Sequence, residues 1–196
     1  MELIKIDMSM SLVEYRRLAL MSLWTGLIVT VGIVCSFIPN LELVILSAFL
    51  GGVALGPKRG FIVAVIGEAV FSTLNPIGSG LGYPILLLFQ VVGIGIGGGL
   101  GGLLAPAIRS LQHPIAKAVA LGVTGFVITL IYDVLTALSF PLSSGMVEGT
   151  LWGTIVTGLV FFIMHITSNT ILFALFAPIL VRLVDQQLLM HDLRKD

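Results

Sequence analysis

The run YPILLLFQVVGIGIGGGLGGLLA, Tyr83 to Ala105, contains no charged residue. At 1.5 Å per residue it is long enough to cross the roughly 30 Å hydrocarbon layer of a bilayer as one helix. Its composition is that of the whole chain. Of 196 residues, 57% are hydrophobic and 10% are charged, and the mean hydropathy is +1.13. A soluble domain of this size has too little interior to hide so much apolar surface. A disordered chain would lack the polarity to stay solvated. The composition therefore predicts an all-α integral membrane protein, in one domain over residues 1–196.

Outward from that run, five more apolar segments follow the same rule. They are Leu18–Ile38, Leu41–Leu55, Phe61–Leu74, Ile115–Phe140 and Leu151–Val181. The expected architecture is a compact bundle of six transmembrane helices. Lys and Arg concentrate on the cytoplasmic side of membrane proteins. Lys5, Arg16, Arg17, Lys58, Arg59, Arg109, Lys117, Arg182, Arg194 and Lys195 all fall on one side of a six-span arrangement. Both termini are then cytoplasmic, with an amphipathic N-tail over 1–17 and a C-tail over 182–196. A re-entrant hairpin over the second and third segments would bury Lys58 and Arg59 at several kcal/mol each, by about the cost of a charge in a membrane. The expected location is the plasma (inner) membrane, multi-pass.

The glycines of Tyr83–Ala105 formally match a dinucleotide fingerprint at Gly93-x-Gly95-x-x-Gly98. No strand precedes that match, so it carries no nucleotide meaning. The informative spacing is Gly93, Gly97 and Gly101, repeated at Gly52, Gly56 and Gly60 and at Gly145, Gly149 and Gly153. Small residues four apart let helix backbones approach closely. No G-x-x-x-x-G-K-[ST] phosphate loop occurs, so ATP-driven work would need another chain. A net charge of zero excludes an electrostatic nucleic-acid partner. The one cysteine, Cys35, and one intramembrane histidine, His165, offer no metal set, and no G-x-S-G nucleophile exists. The chain is expected to be no enzyme and to hold no cofactor.

Ionisable groups inside a bilayer are costly and mark functional candidates. Glu42 opens the second segment. Glu68 shares a helical stripe with Ser72 and Asn75, and Gln90 shares one with Tyr83. Asp133 is flanked by Thr129 and Thr136, and His165 and Asn169 are four apart. These stripes lie at similar depth and predict a polar cavity open to the outside; hydrogen-bonded structural glue is the competing reading. With no Lys or Arg in the set, a cationic or N–H-rich ligand fits better than a carboxylate or phosphate.

Four local motifs carry a resemblance. They are Leu55-Gly-Pro-Lys-Arg-Gly60, Asn75-Pro-Ile-Gly78, Tyr132-Asp-Val-Leu-Thr136 and His165-Ile-Thr-Ser-Asn169. In this order, in a six-span chain, they resemble the substrate-binding S components of energy-coupling factor (ECF) vitamin transporters. The resemblance implies a subunit that captures a vitamin-like micronutrient outside and docks on a membrane coupling subunit with two ATPases. It implies a docking face of small residues on the first helix. The nearest equivalent here is Ser22-x-x-x-Gly26. The rival reading is a six-span scaffold of the cell-envelope morphogenesis type, with no transported ligand.

Overall fold

The computed structural model describes residues 12–38, 43–78, 80–145 and 149–190. The described residues are helical throughout, without a strand. The helices are α1 (Leu12–Cys35), α2 (Val44–Leu55), α3 (Pro57–Leu74), α4 (Pro84–Ser110), α5 (Pro114–Ser143), α6 (Thr150–Leu175) and α7 (Ala177–Met190). A single 3-10 turn, Gly80–Gly82, precedes α4. Four helices, α1, α4, α5 and α6, are long and apolar enough to cross a membrane. This is a membrane protein by that measure.

The boundaries differ from the sequence reading for identifiable reasons. α3 starts at Pro57, not Phe61, because Gly56 takes φ 83°, which ends α2, and Pro57 supplies a preset first helical φ. The segment read as Leu151–Val181 is broken at Phe176. Pro178 has no N–H to give to the carbonyl four residues back, and α7 begins at Ala177 as a separate helix. α1 begins at Leu12, so residues 12–17 of the expected surface tail run unbroken into the apolar helix.

α2 is the axis of the molecule. All residues from Val44 to Val53 are buried, and α1, α3, α4 and α7 each touch it. A helix apolar on every side needs protein on every side. Phe49, wholly buried, meets Phe173 of α6 edge-on at 5.2 Å between ring centroids. Glycine makes the approach of α2, α3 and α4 possible. A Cβ at Gly52 would strike the Gly98 carbonyl, and one at Gly101 would strike the Phe49 carbonyl. A Cβ at Gly98 would meet the Gly60 carbonyl. The Gly93, Gly97 and Gly101 row is thus an internal face, against Tyr132, Ile128 and Phe49 in turn. Gly145, Gly149 and Gly153 have nothing nearby, and Gly145 and Gly149 serve the turn between α5 and α6 with φ 79° and 81°.

One ion pair locks the end of the bundle where α4 finishes. Arg109 donates from Nε to Asp185 Oδ1 at 2.9 Å and from Nη2 to the same oxygen at 2.6 Å. Nη2 also donates to the Val53 carbonyl at 3.0 Å. Three helices, α4, α7 and α2, are joined by one guanidinium.

Candidate functional site

At the opposite end of the bundle six helices surround a cleft of about 430 Å³. The last turn of α1 brings Cys35, with Ser36 just beyond it, and the start of α2 brings Val44. Phe71 and Asn75 come from the end of α3, and Leu86 and Gln90 from the start of α4. Tyr132 and Thr136 come from α5, and Phe161 and His165 from α6. The volume is that of a small-molecule site.

His165 forms the floor. It is 1% exposed, and its Nδ1 lies 2.7 Å from Asp133 Oδ1. With the carboxylate as acceptor, Nδ1 carries the proton, and Nε2 is the ring's other hydrogen-bonding atom. The imidazole is held by aromatic neighbours. Phe161, one turn earlier on α6, stacks on it at 5.5 Å and 28°, and Tyr132 meets it edge-on at 5.9 Å. One turn beyond, Asn169 Nδ2 donates to the His165 carbonyl at 3.1 Å. Asn169 Oδ1 and Thr129 Oγ1 are buried without a hydrogen-bond partner among the described residues.

A second polar set stands on α3 and α4. The buried Ser72 hydroxyl donates to Glu68 Oε1 at 2.6 Å and lies 3.5 Å from the side-chain amide of Gln90. A hydroxyl has one proton, and here Glu68 receives it. Gln90 Oε1 is the atom nearest that hydroxyl, at the outer limit of a hydrogen bond, and Gln90 also borders the cleft. At the rim, Asn75 Oδ1 accepts from the Ile77 N–H at 3.0 Å, an Asx turn that fixes the loop after α3.

The expected site residues therefore divide. Asn75, Gln90 and His165 line the cleft. Glu68, Asp133 and Asn169 are buried, and their side chains bond to the Ser72 hydroxyl, the His165 ring and the His165 carbonyl respectively. Asp133 also borders an apolar crevice between α5 and α6. Glu42 lies outside the described residues. Ser22 and Gly26 are exposed on α1, and a Cβ at Gly26 would meet nothing within 4 Å. Phe161, Phe71, Ser36 and Cys35 escaped the sequence reading as site residues. Phe161 was findable, because it precedes His165 by four on the same helical face. No group of three or more metal-ligating side chains occurs among the described residues.

No protein-family model, curated protein or solved structure matches this chain. The residues of the cleft are thus the ground for any functional reading.

Proposed function

We propose that this chain is the substrate-binding subunit of an ATP-driven uptake transporter, in the manner of the ECF S components it resembles. The observation that carries the reading is the cleft itself. Six helices of an apolar bundle converge on an opening with aromatic walls and a polar floor. Structural glue would not need an open volume. The cleft has amide and imidazole groups, three aromatic rings, and no Lys or Arg among its described residues. Such a lining suits a flat, N–H-rich or cationic heterocycle of vitamin size. The rings stack on its faces, and Gln90, Asn75 and His165 read its edge.

The charges support the six-span orientation. Arg16, Arg17, Lys58, Arg59, Arg109 and Lys117 lie in the end turns of their helices on the side away from the cleft, and Arg182 lies on α7 at that same end. The cleft then faces outward and both termini are cytoplasmic. α1 to α6 are the six spans, with α3 carrying Lys58 and Arg59 at its inner end. A coupling subunit and two ATPases complete the transporter, and the exposed Ser22–Gly26 face of α1 is their docking surface.

Native mass spectrometry of the purified chain should show a bound small molecule. That mass should vanish or fall sharply with Gln90→Leu, with the melting temperature kept. A ligand-free wild type that also binds no heterocycle on titration would remove the transport reading and favour a scaffold. Orientation has its own check in a Cys35→Ser background. A cysteine replacing Lys58 should stay unlabelled by impermeant maleimide in intact cells and label after permeabilisation. Labelling of that position from outside would overturn the six-span orientation.

A further inference from the structure

The end of the bundle away from the ligand cleft holds a second opening, of about 490 Å³. Arg17 of α1, Lys58 and Arg59 of α3, and Arg109 of α4 line it. No Asp or Glu is among its described lining residues. We propose that this cleft binds a phosphoester anion carried by a membrane lipid.

Three features converge on that chemistry. First, the cations are placed by structure. Arg109 is held in position by Asp185 and the Val53 carbonyl, which take its Nε and Nη2 and offset its charge, so Lys58 and Arg59 carry the attraction and Arg109 adds its Nη1 donors in a fixed orientation. Lys58 and Arg59 open α3 immediately after Gly56, whose φ of 83° turns the chain sharply enough to bring the first turn of α3 beside the end of α2. The Gly60 N–H is already bonded to the Gly56 carbonyl at 2.8 Å, so α3 is well formed there. Second, the remaining walls are apolar. Leu20, Val53, Leu55, Ala105, Pro106 and Leu188 share the opening with the cations. A free inorganic anion has no use for such walls, whereas an amphiphile does. Third, α1 continues from Arg17 and Leu20 as an apolar surface that the chain leaves uncovered: Leu23 is 69% and Leu27 44% exposed. An acyl chain laid along α1 would place its headgroup at the basic opening. Basic pockets between membrane helices are a recurrent mode of anionic-lipid recognition.

The test is native mass spectrometry of the full chain with equimolar phosphatidylglycerol and phosphatidylcholine in mild detergent. The wild type should retain phosphatidylglycerol preferentially. Lys58→Gln with Arg59→Gln should cut that preference about thirtyfold, and Lys58→Gln alone about fivefold, at roughly 1 kcal/mol per basic residue. Both side chains are exposed, so the melting temperature should not move. Lys117→Gln with Arg182→Gln removes the same charge from the same end but outside this cleft, and should leave the preference intact. Equal loss in the two double variants would reduce the effect to net charge and overturn the proposal, as would a wild type without preference. Glycerol phosphate at the same concentration should fail to displace the lipid. Displacement would overturn the lipid assignment and uphold a soluble phosphoester as the ligand.

Discussion

Replacing Gly101 by alanine should cost this protein on the order of 3 kcal/mol or more, the upper part of the range for overpacking a core. The new Cβ would run into the Phe49 carbonyl. Backbone in the middle of a buried helix cannot swing aside as a side chain can. α2 and α4 would have to separate, opening the contact with α3 that depends on Gly52, Gly60 and Gly98. Gly99, two residues earlier, is the internal control. A Cβ there would lie 3.8 Å from Phe61, an ordinary contact. Gly99→Ala should be neutral or stabilise by up to about 1 kcal/mol, the helix preference of alanine over glycine. Thermal melts of the two variants in the same detergent decide the matter. Equal melting temperatures would show that the α2–α4 contact is looser than described.

The second large effect lies at His165, in the cleft between the six helices. His165→Phe should destabilise the fold by roughly 3–5 kcal/mol, because it removes the imidazole facing a buried carboxylate. Asp133 is 3% exposed and lies 2.7 Å from the imidazole nitrogen. Adding Asp133→Leu to that variant should restore most of the melting temperature, since removing both partners leaves neither charge stranded. Ligand binding should stay about tenfold to a hundredfold weaker in the double variant, the worth of a hydrogen bond to a charged or strongly polar group. Stability recovered without binding would separate the structural part of the pair from the ligand contact proposed for it. A double variant as unstable as the single one would show that the two side chains act separately.

The membrane character and helical class were legible in the sequence because they follow from composition and run length alone. So were the polar residues: helical spacing put Ser72 with Glu68, and Asn169 with His165, and both pairs are hydrogen-bonded within their helices. The partner across helices was not legible. Asp133 and His165 stand on separate helices, and nothing in either stripe says which carboxyl meets the ring. Depth of burial was hidden for the same reason. Glu68, Asp133 and His165 are all buried, at 1%, 3% and 1% exposed, and of the three His165 is the one that borders the cleft, beside Gln90. The central place of α2 was invisible because a helix apolar all round has no face to orient it. Arg109 read as a topology marker; its role with Asp185 and Val53 needed α7 as a separate helix after the break at Phe176.

The shortness of α2 bears on how the protein is made. Its 12 residues would rise only about 18 Å, well under the thickness of a bilayer's apolar layer. Such a segment gains little by partitioning into lipid alone, and its neighbours α3 and α4 emerge from the ribosome after it. α2 must therefore wait during synthesis until later helices arrive to enclose it. The one-residue joint at Gly56 makes α2 and α3 a natural hairpin for insertion together, and the glycine row of α4 then closes over both. Biogenesis is thus least protected in the interval after α2 is synthesised and before Ser110 has left the insertion machinery.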